Sequence, residues 1–179
     1  MNDEGDGPAL ESCVLVPVLN VGQLVRDLRM QYDPSAAAGI PPHVTLMFPF
    51  IPPRDLTEPT IDTLEKLISR TRALQFSLTR VNEFEQGVVY LEPEPAEPFA
   101  ELTREISRQF GILPFGGDFG EEPVTHLTVA IVESAATRQQ LVNQLGAEVP
   151  IVIRAEEAWL MVGTNGTTWN IVRQMRFRD

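Results

Sequence analysis

Only two histidines occur in the 179 residues, and both open the same four-residue pattern: His43-Val44-Thr45-Leu46 and His126-Leu127-Thr128-Val129. Imidazole exchanges protons near neutral pH, and a threonine hydroxyl donates a hydrogen bond without carrying charge. The runs HVTLMF (43–48) and HLTVAIV (126–132) are β-branched and apolar, the composition of strands. Alternation along a strand puts His43 with Thr45, and His126 with Thr128, on one face, about 7 Å apart within each pair. Val44, Leu46, Phe48 and Leu127, Val129, Ile131 are then expected to point into a core. Two such strands side by side would line a groove with two titratable nitrogens and two hydroxyls, equipment for holding a phosphate between an acid and a base. A single strand histidine is more often a hydrogen-bonded structural residue, and threonine is simply a good strand former. Two identical frames with no third histidine favour chemistry. A metal centre is not expected, because two histidines without a further His, Cys or carboxylate at fixed spacing leave a first coordination shell incomplete.

Positioning these strands requires a compact α+β fold, and 179 residues suffice to bury its core without disulfides. Cys13, the single cysteine, lies in the apolar run CVLVPVL and reads as a buried strand residue. Residues 1–10 read as a flexible acidic N-terminus. No apolar run approaches the ~20 residues of a membrane helix, so a cytoplasmic setting without membrane attachment is expected. With 25 acidic against 14 basic residues, the net charge is -11 and Lys66 is the one lysine. That balance opposes a long nucleic-acid track and favours a small phosphorylated ligand or an RNA end.

The elements follow in a repeating order. A strand at 11–19 leads to a helix at 20–32, with Asn20 as a cap, and then to the first histidine strand. A helix capped by Thr57 or Thr60 runs to about residue 72 with the stripe Ile61, Leu64, Leu67, Ile68. Strands at 74–84 and 87–92 form a hairpin. A helix at 98–110, a Gly-rich loop, the second histidine strand, a helix at 134–146 and strands at 149–162 and 167–178 follow, the last two joined through Thr164-Asn165-Gly166. The histidines are 83 positions apart, which suggests a duplicated, pseudo-symmetric unit with halves near 11–92 and 93–178 and one histidine strand from each facing a shared groove.

The embedding of the first motif as PPHVTLMFPF, the second as HLTVA before a helix, and the ending GTTWNIVRQMRF resemble the two-histidine (2H) phosphoesterase superfamily, especially its bacterial 2′-5′ RNA ligase-like branch. The likeness spans most of residues 11–178. It implies a two-lobed α+β fold in one domain, no metal or other cofactor, and opening of a cyclic phosphodiester such as a 2′,3′-cyclic phosphate to a 2′-phosphate. By that resemblance His126 is the base and His43 the acid, while Thr45 and Thr128 hold the phosphate. The substrate would be a small nucleotide or an RNA end and the protein a monomer. The alternatives are a noncatalytic nucleotide or RNA-end binding module, or RNA 2′-5′ ligation as the reverse reaction. The second motif departs from many relatives in having Thr125 rather than proline before His126, and no arginine follows it. Further candidate substrate contacts are Arg173 and Arg80, each interrupting an apolar strand face, and Phe115 in the loop before the second motif. The competing reading places both arginines at sheet edges with their stems buried. Tyr90, Trp159 and Trp169 read as core or hairpin residues.

Overall fold

The computed structural model describes residues 9–120, 123–164 and 168–179. Its strands form two four-stranded antiparallel sheets. The first has the order β2-β1-β7-β8, from Glu11–Pro17 (β1), His43–Met47 (β2), Glu157–Gly163 (β7) and Asn170–Arg176 (β8). The second has the order β5-β4-β3-β6, from Leu74–Glu83 (β3), Val88–Glu94 (β4), Leu127–Ile131 (β5) and Ile151–Ala155 (β6). Five α-helices complete the two-lobed α+β fold: Gln23–Tyr32 (α1), Pro34–Ala37 (α2), Glu58–Ile68 (α3), Glu97–Phe110 (α4) and Ala135–Gly146 (α5).

Local chemistry explains the helix boundaries. The Thr57 hydroxyl accepts from the Thr60 amide at the start of α3, and the Ser134 hydroxyl accepts from the Thr137 amide at the start of α5, each satisfying a first-turn donor. Helix α1 begins later than the apolar spacing suggests: Gly22, not Asn20, stands at its N-cap, without a side-chain hydrogen bond. The expected α3 stripe, Ile61, Leu64, Leu67 and Ile68, is buried. One core runs through both lobes, and a smaller cluster of Cys13, Leu15, Ile40, Trp159, Met161 and Trp169 covers the other face of the first sheet.

The sheets do not divide at the sequence halves 11–92 and 93–178. Strands β3 and β4 pair with each other and with β6 and β5, whereas β7 and β8 return to β1. The single strand expected at 149–162 breaks at exposed Glu156 into β6 and β7, which belong to different sheets. Apolar alternation resumes on both sides of the break, so the pattern alone hides the crossing. The Asn165-Gly166 turn lies outside the described residues, as do residues 1–8. Strands β7 and β8 nevertheless pair as an antiparallel neighbour couple.

Both motif strands carry a β-bulge at the third residue after the histidine. In β2, Val14 pairs with Met47 and Leu15 with Thr45, leaving Leu46 extra; in β5, Val89 pairs with Ala130 and Tyr90 with Thr128, leaving Val129 extra. An extra residue shifts the alternation by one. Hence Leu46 and Met47 are both buried, as are Val129 and Ala130, and Phe48 and Ile131 turn toward the groove rather than into the core.

Each bulge is tied down by a helix that enters from the other lobe. Helix α1 packs on β5 and α4 on β2, and β2 and β5 touch directly. The Thr103 hydroxyl of α4 donates to the Leu46 carbonyl at 3.0 Å. Arg29 of α1 donates from Nη1 to the Thr128 carbonyl at 2.8 Å. Arg29 and Thr103 are each the seventh residue of their helix, counted from Gln23 and Glu97. Leu46 is the extra residue of its bulge and Thr128 the residue just before the extra one, and a carbonyl turned from its ladder at such a place needs a donor.

Candidate active site

The groove between the motif strands contains a cavity of about 510 Å³, lined among others by His43, Thr45, Thr128, Phe48, Phe115 and Trp169. Thr45 also borders a side pocket of about 20 Å³ that His126 lines together with Thr125 and Phe115. The two histidines and two threonines expected from the sequence thus converge on one groove. Phe115, at a φ of 52° in its loop, borders both spaces and donates its amide to the Phe48 carbonyl.

Each imidazole is held in the same way. Nδ1 of His43 lies 2.8 Å from the Pro41 carbonyl, and Nδ1 of His126 lies 2.7 Å from the Val124 carbonyl, in both cases two residues back. A carbonyl only accepts, so each Nδ1 carries the hydrogen and each Nε2 is the nitrogen free to take up or deliver a proton. The surroundings differ. Burial first, then the positive charge of Arg29, push His43 down to about 3, with the hydrogen bond to Pro41 opposing and His126 adding a smaller push in the same direction. His126 is lowered by burial against the opposing Val124 hydrogen bond, and its ring makes edge contacts with Phe84 and Tyr90 at centroid distances of 5.1 and 5.4 Å. Both are therefore neutral at pH 7.

An aromatic wall stands beside the two motif strands. Phe48 contacts Phe115 and Trp169 at centroid distances of 6.4 and 6.3 Å. The Trp169 ring lies so close over β7 that a Cβ at Gly163 would come within 2.6 Å of it, which makes glycine the residue that fits there. Cys13 also borders the cavity, its thiol pushed up to about 12 chiefly by burial, so it is neutral and unreactive. Neither space is bordered by a lysine or arginine among the described residues.

The two arginines singled out in the sequence lie elsewhere. Arg173 is taken up by α3, at 2.7 Å from Glu65 and 2.8 Å from Glu58, and Arg80 pairs with Glu92 at 2.8 Å on the exposed side of the hairpin. Neither borders the groove, because the carboxylates of adjoining elements hold them. Conversely, Phe48 was expected in the core and Trp169 in the core or hairpin, and Arg29 and Thr103 were not singled out although each follows a buried residue of its helix stripe, Val25 and Phe99, by four positions. No group of three or more His, Cys, Asp or Glu is gathered to hold a metal among the described residues.

The family pattern described as the 2′-5′ RNA ligase superfamily matches residues 17–167, from the end of β1 past β7, and includes both motif strands. The chain belongs to that superfamily. Among its relatives, a Bacillus licheniformis protein named a phosphoesterase by inference is 29% identical over 119 residues, covering 65% of this chain and 68% of the relative. One from Bacillus cytotoxicus, named in the same way, is 27% identical over 134 residues, 74% and 75% of the two chains. The fold is similar to that of Escherichia coli LigT, whose complex with NADP+ has a TM-score of 0.55 at 14% identity, covering 97% of this chain and all of LigT. Thermus thermophilus TT0787 has a TM-score of 0.57 at 18% identity, covering 94% and 98%. LigT has also been crystallised with 3′-AMP. No helix among the described residues is long and apolar enough to cross a membrane.

Proposed function

We propose that this protein is a metal-independent phosphodiesterase that opens a 2′,3′-cyclic phosphate, on a nucleotide or an RNA end, to a 2′-phosphate. The observation that carries this reading is the matched presentation of two Nε2 atoms, each fixed in tautomer by a carbonyl two residues back. One neutral imidazole takes a proton from water as its oxygen attacks phosphorus. The P–O3′ bond breaks, and the other imidazole, protonated, gives its proton to the leaving O3′. Thr45 and Thr128 donate hydrogen bonds to the nonbridging oxygens, where charge accumulates. The products are a 2′-phosphate and a 3′-hydroxyl. Because protons and hydroxyl donors are sufficient for these steps, the reaction requires no metal.

Electrostatics in the free groove favours His43 as the base, since Arg29 opposes its protonation, and His126 as the acid. That is the reverse of the assignment the family resemblance implies. With no lysine or arginine on the cavity wall, binding of the anionic phosphate draws a proton onto the site, and His126 is the less opposed to receive it. The wall of Phe48, Phe115 and Trp169 offers faces on which a base stacks. A mononucleotide-sized ligand such as the 3′-AMP bound by LigT suits this volume. With a 5′-hydroxyl in place of water as the nucleophile, the same groove would join a second strand through a 2′-5′ linkage, P–O3′ breaking and O3′ taking the proton as before, a step with which water competes by mass action.

The test is incubation with the four nucleoside 2′,3′-cyclic monophosphates in EDTA, with products resolved by ³¹P NMR. Accumulation of the 2′-monophosphate is expected. Binding without turnover would identify a nucleotide-binding module instead, and a strict metal requirement would overturn the mechanism.

A further inference from the structure

Arg29 is the largest side chain among the fully buried residues, 1% exposed inside a molecule whose other arginines lie at or near the surface. An arginine is buried at high cost and retained where its fork and its charge are both used. Its fork joins the second motif strand to the loop that leads into the first. Nη1 donates to the Thr128 carbonyl of the second motif; Nη2 donates to the Ile40 carbonyl, three residues before His43, and to the Ser35 hydroxyl, both at 3.1 Å. Asp33 lies 2.9 Å from Nη1 as its counter-ion. Asp33 Oδ2 makes that ion pair, and Nε of Arg29 is the one nitrogen of the fork without a hydrogen-bond partner among the described residues.

The other half of the molecule supplies a control. Thr103 occupies the matching position of α4 and fastens the matching bulge with a neutral hydroxyl. A hydroxyl therefore suffices to hold a motif strand, and the guanidinium does something more.

We propose that Arg29 is a positioning residue of the site, whose fork sets the spacing of the two motif strands and whose fixed charge stands beside His43 to keep it the proton acceptor. The proposal rests on the His/His reading above. The charged groups that act on His43 are Arg29 of α1 and His126 ahead of β5, and Asp33 at the α1 end and Cys13 of β1 line the same cavity. Of these, Asp33 is engaged by Arg29 and Cys13 is neutral, which leaves Arg29 as the fixed cation acting on the ring. Its effect on the ring is an opposing one, in line with the depressed value of His43.

The experiment uses the full chain and its two imidazoles, whose NMR signals are assigned with a His126→Gln variant. Arg29→Met removes charge and fork; Arg29→Lys keeps the charge and loses the fork. In the parent, His43 stays unprotonated down to the acid limit of the folded state. Arg29→Met is expected to bring its titration upward by on the order of one pH unit, while the His126 titration stays in place. Arg29→Lys is expected to leave the His43 titration low and to lower kcat on a cyclic nucleotide by about 10²-fold through misplacement of the strands. An unmoved His43 in folded Arg29→Met overturns the proposal. If Arg29→Met does not fold, Arg29→Lys decides: parental kcat, or a raised His43 titration, overturns it, and a lowered kcat with an unmoved titration supports it. The titrations need no substrate, so a shifted His43 in a protein that hydrolyses nothing would sink the phosphodiesterase reading and leave the role of Arg29 standing.

Discussion

Around His43 the protein packs a buried guanidinium, Asp33 and the Ile40 carbonyl; around His126 it packs the rings of Phe84 and Tyr90. The backbones of these two regions are near copies, with the same carbonyl on Nδ1 and a bulge at the same offset. The comparison separates two layers of the site. Repeated backbone places two equivalent nitrogens in one groove, whereas the side chains around each ring make them unequal. A symmetric pair of imidazoles has no preferred acid or base; an arginine on one side and aromatic rings on the other create the preference.

The sharpest way to break this comparison is to remove the need for the acid. A cyclic phosphorothiolate whose leaving 3′ oxygen is replaced by sulfur departs as a thiolate without protonation. With the ordinary substrate, His43→Ala and His126→Ala should each lose about 10² to 10⁴ in rate. With the sulfur analogue the His126→Ala deficit should largely vanish and the His43→Ala deficit persist. The opposite rescue would restore the assignment drawn from the family resemblance and cancel the electrostatic argument.

A second variant weighs the two bulge anchors. Thr103→Val leaves the Leu46 carbonyl without its donor and is expected to cost about 1–3 kcal/mol in denaturant unfolding. The His43 titration should not move, in contrast to Arg29→Met. A shift equal to that of Arg29→Met would mean that strand placement, not charge, sets the His43 environment.

Acid stability sharpens the same contrast. His43 is depressed to about 3 in the folded protein, against an ordinary value of ~6.5 in the unfolded chain. Between those limits the unfolded chain binds a proton that the native state refuses, so stability is lost as pH falls from ~6.5 toward 3. In His43→Gln that part of the slope of unfolding free energy against pH should disappear. An unchanged slope would show that His43 is not held neutral.

The smallest effect concerns ligand length. Lys66, Arg70 and Arg108 border a separate groove of about 490 Å³ beside Glu105, a gathering of cations that scattered arginines in the sequence do not reveal. If the substrate is one phosphate with its nucleoside, affinity for a 2′-phosphate mononucleotide and for a 20-mer RNA with the same end, about 20 nucleotides long, should be similar and fall shallowly with salt. A slope near one log unit per neutralised phosphate for the RNA, reduced by Arg108→Gln, would locate a longer track there.

Much of this site could be read from the chain because its parts are local. His43 and Thr45, or His126 and Thr128, share a face through strand geometry alone, and helix α3 shows its cap in Thr57 and its buried stripe in Ile61, Leu64, Leu67 and Ile68. What stayed hidden depends on distant pairing. The bulges at Leu46 and Val129 arise from register with β1 and β4, and they turn Phe48 and Ile131 out of the core against the simple alternation. Arg29 lies in QLVRDLRMQY four residues after buried Val25, on the apolar stripe of α1, but the carbonyl it reaches on Thr128 comes only from the docking of α1 on β5. For Arg173 and Arg80 the sequence left substrate contact and a sheet-edge place both open, since the carboxylates that hold them come from α3 and β4.

The most direct test of the paired acid and base is kcat/KM on 2′,3′-cyclic AMP for His43→Ala, His126→Ala and the double variant, all in EDTA. Two groups acting as a unit are non-additive. Each single variant should fall by about 10² to 10⁴ and the double variant scarcely further. A single variant retaining the parental rate, or losses that multiply in the double variant, would contradict the account.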